Sequence, residues 1–291
     1  MSPPVSRPAV DQRFGGELLR QILSSASSRF GLCLLLLAIL MAVFAPLIAT
    51  HDPNAIDMSA RLLPPHADHW AGTDEVGRDI FSRIVWGARA SLGISLGVVA
   101  VGAIAGLLIG GFSGLMGGWI DAAIMRFMDI VMALPGLVVA LALAAALGPS
   151  LINAMTAIAV LGIPGYCRIA RGQALALRQQ GFVQAARTFG AGPWHLLVRH
   201  IVPNLLAPML VIATLDVGNA MIGVATLSFI GLGAQPPLAE WGTMVNAGQA
   251  YILSAWWYAA LPGIAILLTA LGFNLVGDAI GDLVDPKRRR S

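Results

Sequence analysis

The sequence predicts an all-α, polytopic membrane protein of six transmembrane helices with both termini in the cytoplasm. Three observations carry that expectation. Only 11% of the 291 residues are charged and 57% are apolar, against about 25% charged in an ordinary soluble domain. The charges are missing from long runs, at 30–51, 90–120, 130–167, 217–239 and 241–277. The positive charges that remain gather on one side of those runs. So much apolar material excludes disorder. It also argues against a soluble globular domain, whose surface could not be covered with polar groups. Two cysteines, Cys33 and Cys167, are too few for a disulfide scaffold or a cysteine-rich metal site.

A bilayer core about 30 Å thick needs roughly 20 apolar residues of helix. Residues 1–29 read as a cytoplasmic N-terminal segment, and 30–50 hold the first span, from Phe30 to about Ala49. Residues 51–89 form an extracytoplasmic loop, and the second span follows at about 90–112. The run 130–167 is too long for one helix. Leu147-Gly148-Pro149-Ser150 divides it, giving spans at about 121–147 and 151–170. A fifth span, about 204–232, contains Asp216. The sixth, about 258–279, follows Trp256-Trp257-Tyr258, a cluster suited to the membrane interface. Residues 90–280 thus make a five-helix core that carries a cytoplasmic loop at 171–203, and 281–291 form a basic cytoplasmic tail.

Six spans put both termini on one side, and the arginines say which. Arg7, Arg13, Arg20 and Arg29 precede span 1. Arg126, Arg168, Arg171, Arg178, Arg187, Arg199 and the tail Lys287–Arg290 bring that side to 14 of 18 positive charges. The loop 51–89 has four arginines against six acids. The positive-inside rule therefore makes the basic side cytoplasmic. The first 29 residues do not read as a cleavable signal peptide, so span 1 is expected to stay as an anchor.

Inside the spans, small and polar residues mark contacts. Gly102, Gly106, Gly110, Gly114 and Gly118 recur every four residues, a spacing that lets helix backbones approach closely. Four residues turn a helix by about 400°, so the first three are expected to share a packing stripe while the last two wrap round it. Asp121, Arg126 and Asp129 fall near the cytoplasmic interface. Asp216 lies about halfway down span 5, where a charge costs roughly 2.5–3.5 kcal/mol on insertion scales. Either it pairs structurally with a neighbour such as Asn219, or Asp216 and Asn219 line a polar path. His66 and His69, in a proline-rich loop, read as surface residues, and no metal site is expected.

The loop 171–203 has the pattern of an ordered element. Gln184-Ala185-Ala186-Arg187 makes a short helical turn, Gly190 ends it, and Gly192-Pro193 turns the chain. Pro203 stands at the start of span 5, where its missing donor is harmless. Two alanines ahead of a glycine give a helix with a bare face that fits a groove on another protein.

These residues resemble the coupling motif of ABC-importer permease subunits, in which Glu-Ala-Ala is followed by a glycine and then a proline. Here Gln184-Ala185-Ala186, Gly190 and Pro203 match in spacing. Gln184 departs from the usual glutamate, keeping the size and losing the charge. The segments Gly72–Arg83, Leu227–Pro237 with Glu240–Gly242, and Phe273–Asp278 with Asp282 and Asp285–Lys287 resemble the dipeptide, oligopeptide and nickel permeases, in the second permease subunit type. Ala279 and Gly281 depart from that pattern. The stretch Thr50–Asp57 with Ala60–Pro65 is similar to D,D-dipeptide (D-alanyl-D-alanine) permeases.

The resemblance implies the type I ABC-importer permease fold and a multi-pass protein of the bacterial cytoplasmic (inner) membrane. Its partners would be a homologous second permease subunit, two ATP-binding subunits, an extracytoplasmic substrate-binding protein, a short peptide substrate and membrane lipid, with no nucleic acid. The short helix would dock into a cleft on an ATPase subunit. A nickel or glutathione permease of the same family is the nearest alternative. A self-contained secondary transporter is another, although no internal repeat is found. No catalytic residue and no cofactor in this chain is expected. There is no Gly-x4-Gly-Lys-Ser/Thr loop, and Lys287 is the only lysine. Gly111-Phe112-Ser113-Gly114 matches the serine motif of rhomboid proteases, but no histidine falls within a span to act as its base. Asp216 and Asp278 lie at different depths and do not suit an aspartyl protease.

Overall fold

The computed structural model describes Leu23 and residues 25–284. Arg7, Arg13 and Arg20 and the basic stretch Lys287–Arg290 lie outside the described residues. Among the described residues nine helices carry the fold. These are α1 (Ala26–Val43, continued by the single turn Ala45–Ile48), α2 (Ile80–Met116), α3 (Gly118–Ala133), α4 (Gly136–Leu147), α5 (Leu151–Arg178), α6 (Gly181–Thr188), α7 (Pro193–Phe229), α8 (Trp241–Gln249) and α9 (Trp256–Val284). Among the described residues there is no β-strand. Helices α1, α2, α5, α7 and α9 are each long and apolar enough to cross a bilayer, and α3 with α4 qualify together as one broken span.

The broken span corrects the reading of 121–147 as one helix. Helices α3 and α4 meet at 92°. Leu134, the residue before Pro135, has φ −89° and ψ 145°. Crowding by the proline ring disfavours the helical region at that position, and Pro135 offers no N–H to continue the ladder.

Helix α2 begins ten residues before the expected start at 90. Asp79 caps it, accepting the Ser82 N–H at 2.7 Å, which satisfies one of the orphan donors of the first turn. The arginines that seemed to mark loop are accommodated on the helix. Arg83 donates to the Pro53 carbonyl at 2.9 Å and Arg89 to the Val43 carbonyl at 3.0 Å. The start is set by the cap, not by where charge stops.

Helices α2 and α5 run parallel and form the most extensive helix contact among the described residues. A Cβ on Gly102 would meet the Ala159 carbonyl oxygen at 3.3 Å, and one on Gly106 the Cys167 nitrogen at 2.8 Å. Gly110 faces the Cys167 backbone directly. Gly114 stays on the same face, where an added Cβ would lie 2.7 Å from the Arg171 carbonyl oxygen, and only Gly118 leaves it. The expectation that Gly114 would wrap away is therefore corrected. Residues four apart form a row inclined to the helix axis, and a partner crossing along that row stays in register for longer than a straight stripe would allow.

A bidentate ion pair ends this contact. Arg171 donates to both oxygens of Asp121, at 2.5 and 2.6 Å, and Ser113 adds a 2.6 Å hydrogen bond. Asp121 is buried at the corner between α2 and α3, against α5. A double-mutant cycle with Asp121→Asn and Arg171→Met should give a coupling of about 1.5 kcal/mol or more, the level of a charged hydrogen bond. A value near the few tenths typical of exposed pairs would show the pair to be incidental.

At the other end of α2, residues 50–80 and 233–255 fold into a cap over the bundle. Thr73 is fully buried; it accepts from the Leu63 N–H at 2.8 Å and donates to the Ala60 carbonyl. Trp241 is also fully buried and donates to the Ile84 carbonyl at 2.9 Å. Glu240 caps α8 through the Gly242 and Thr243 amides at 2.9 Å. Of the aromatic cluster, only Trp256 is exposed; Trp257 and Tyr258 are buried in this cap. Consecutive residues on a helix point about 100° apart, so the three cannot share one interface.

Candidate coupling helix and translocation cavity

Helix α6 leaves α5 after a two-residue break and is anchored by one side chain. Val183 is buried with Leu196, Leu197 and Ile201, and Ala186 packs against the same cluster. Gln184, Ala185 and Arg187 are exposed. Gln184 donates to the Gln179 carbonyl at 3.2 Å. Phe189 is 91% exposed, with Trp194 and Phe182 also out in solvent. Ala186, Phe189, Gly190, Ala191, Gly192 and His195 line a shallow concave surface. An apolar surface of this kind on a short helix is suited to burial against a second protein.

Gly190 ends α6. Its N–H bonds the Arg187 carbonyl and the next N–H, of Ala191, reaches back to the Ala186 carbonyl, both at 3.0 Å. That is the six-to-one closure of a Schellman cap, and it sets Gly190 at φ +87°. Pro203 is placed differently from expectation. The helix begins at Pro193, ten residues before it, and passes through a π turn at Leu197–Ile201. The wider turn supplies room for the ring and absorbs the lost donor.

Asp216 and Asn219 lie one turn apart on α7, and the Asn219 amide donates to Asp216 Oδ1 at 3.5 Å. Both line a cavity of about 250 Å³ between α2, α5 and α7, with Val98, Ile158 and Leu161 as apolar walls. Tyr166 of α5 borders the same cavity and turns its buried hydroxyl toward Asp216. The sequence reading passed over Tyr166. Its only signal is a phenol amid apolar residues in span 4, since a buried tyrosine hydroxyl usually finds a partner. His69, read as a surface residue, is instead half-buried and joined to the buried Asp79 by a 2.9 Å hydrogen bond.

A bundle of membrane-crossing helices, with an exposed amphipathic helix at one end and a polar-edged cavity within, is the architecture of a transport permease. The family described as binding-protein-dependent transport system inner membrane component matches residues 106–290. The N-terminal transmembrane domain of oligopeptide transport permease C matches residues 14–65. The chain belongs to this family: it is a permease subunit of an inner-membrane ATP-binding-cassette transporter. It is 56% identical to the probable D,D-dipeptide transport system permease protein of Escherichia coli K12, over 97% of this chain and 95% of that one. The dipeptide transport system permease protein of Alkalihalophilus pseudofirmus is 40% identical over 99% of this chain and 97% of its own. The glutathione transport system permease protein of Pectobacterium atrosepticum is 39% identical over 95% and 91%. Permease subunits of this kind are not enzymes in themselves.

Proposed function

We propose that this chain is one half of a two-subunit transmembrane path for dipeptides, D,D-dipeptides among them. A homologous permease supplies the other half, two separate ATP-binding subunits sit below, and an extracytoplasmic binding protein delivers substrate above. ATP is used on the partner subunits, and this chain supplies no nucleotide-binding loop of its own. The termini and α6 face the cytoplasm, in keeping with the basic side of the sequence. The residues 50–80 and 233–255 face the binding protein.

The observation that carries this reading is α6 itself. It is anchored through Val183 and presents Ala185, Arg187 and Phe189 outward, so a force on the exposed face passes directly into α5 and α7. Movement of those helices alters the cavity holding Tyr166, Asp216 and Asn219, which lines part of the path. The higher identity to the D,D-dipeptide relative supports that substrate over glutathione.

The test is uptake of labelled D-alanyl-D-alanine by the assembled transporter carrying Asp216→Asn. Uptake should fall about tenfold, the loss of one charged hydrogen bond in transit, with the chain present at normal level in the membrane. Unchanged uptake would reduce Asp216 to a partner for Asn219 on α7. No uptake of this peptide by the unaltered transporter would remove the substrate assignment.

A further inference from the structure

The cap over the bundle brings together three metal-ligating side chains from separate parts of the chain. His51 follows the end of α1, His69 lies in the loop, and Asp79 caps α2. His69 Nδ1 is 2.9 Å from Asp79 Oδ1, and His51 Nδ1 is 3.9 Å from Asp79 Oδ2. One donor atom from each residue falls within 4.8 Å of the other two. The imidazole rings of His51 and His69 are 4.7 Å apart, and that of His66 is 5.3 Å from His69.

We propose that His51, His69 and Asp79 form a binding site for a divalent transition-metal ion of the Zn²⁺ class. Tetrahedral zinc holds nitrogen and oxygen ligands at about 2.0–2.2 Å, which places neighbouring ligand atoms about 3.3 Å apart. The two measured separations from the carboxylate bracket that spacing, so small side-chain rotations close the set. The ion takes the place of the proton now shared between His69 and Asp79, which is released to solvent. Two imidazoles and one carboxylate suit zinc, nickel or cobalt; magnesium and calcium favour sets made of oxygen alone.

The carboxylate is already positioned. Its side chain is 1% exposed, held by the Ser82 amide at 2.7 Å and approached by the Thr50 hydroxyl at 3.5 Å. His51 is 41% exposed on its side chain, which gives the ion an entry from solvent. A fourth ligand position stays open on that side, for water or for His66. Binding here ties the end of α1, the loop and the start of α2 to one centre. These three elements belong to the cap proposed to face the binding protein.

The experiment is calorimetric titration of the assembled transporter in lipid nanodiscs with Zn²⁺ after chelator treatment, with Mg²⁺ as the hard-ion control. Wild type should bind one Zn²⁺ per copy of this chain that His51→Ala and His69→Ala each weaken about tenfold or more, as loss of a ligand or its support does. Mg²⁺ should not compete. Asp79 is left intact because it caps α2, and His51, being exposed, can be replaced without disturbing the fold. Co²⁺ substituted for Zn²⁺ should show visible absorption that is lost in both variants. Equal binding in wild type and both histidine variants would overturn the proposal, as would no uptake of Zn²⁺ by wild type. Either result leaves His69 and Asp79 as a hydrogen-bonded pair only.

Discussion

Gly110→Ala should all but abolish folded chain in the membrane, at least tenfold below wild type by protease-resistant yield. An added Cβ would overlap the Cys167 carbonyl oxygen and lie 2.8 Å from its carbonyl carbon and 2.9 Å from its Cα. All three atoms are backbone of α5, so no flexible side chain can yield. Overpacking of a well-packed core costs about 1–3 kcal/mol and sometimes more, and a clash between two helix backbones stands at the upper end. Against a total stability of about 5–15 kcal/mol that is a large share. Gly93 of the same helix is the control, because a Cβ there meets nothing within 4 Å. Gly93→Ala should accumulate at wild-type level or above, since alanine favours helix over glycine by about 1 kcal/mol. Equal yields of the two variants would show that the backbone approach is not what holds α2 to α5.

Gly190→Val should leave the chain in the membrane yet lower peptide-stimulated ATPase activity of the assembled transporter about tenfold. A side chain at Gly190 enters open space, so there is no steric threat to the bundle. The difficulty is φ +87°, a region where a β-branched residue is an outlier and where an ordinary residue costs about 1–2 kcal/mol. Relief of that strain loosens the cap at Ala186 and Ala191 and shifts the exposed face of α6. Asparagine tolerates this conformation better, so Gly190→Asn should recover much of the stimulation. Normal stimulation in the valine variant would remove α6 from the coupling role. Loss in both variants alike would point to the side chain itself rather than to the backbone.

Much of this was legible in the residues, and the exceptions have physical causes. The break at Pro149 is legible beside Gly148 and Ser150, whereas the one at Pro135 is not, because apolar residues surround Pro135 and the charge-free run passes straight through it. The start of α2 was placed by charge, but Asp79 and the carbonyls that receive Arg83 and Arg89 allow the helix to begin at Ile80. Asp216 and Asn219 stood out because a charge in an apolar run is costly. Tyr166 did not, because a phenol in a span is ordinary until folding brings it to the same cavity as Asp216. His69 reads as a surface residue because its partner Asp79 is ten positions away, across the turn at Gly77.

By itself the sequence determined which segments are apolar enough to cross the membrane, that the chain resembles a permease, and that 184–190 forms a capped helical turn. Those features are local. A bilayer forces any long apolar run to satisfy its own backbone as helix, and a glycine two residues after a helix stops it whatever lies nearby. Only the tertiary structure decided which helices meet. Gly110 against Cys167, Asp121 with Arg171, and Trp241 beneath Ile84 join residues about 50 to 160 positions apart. In lipid every face of a helix is apolar, so hydrophobic periodicity does not name the packed face. Shape and a few buried polar pairs choose the partner, and these exist only once both helices are side by side.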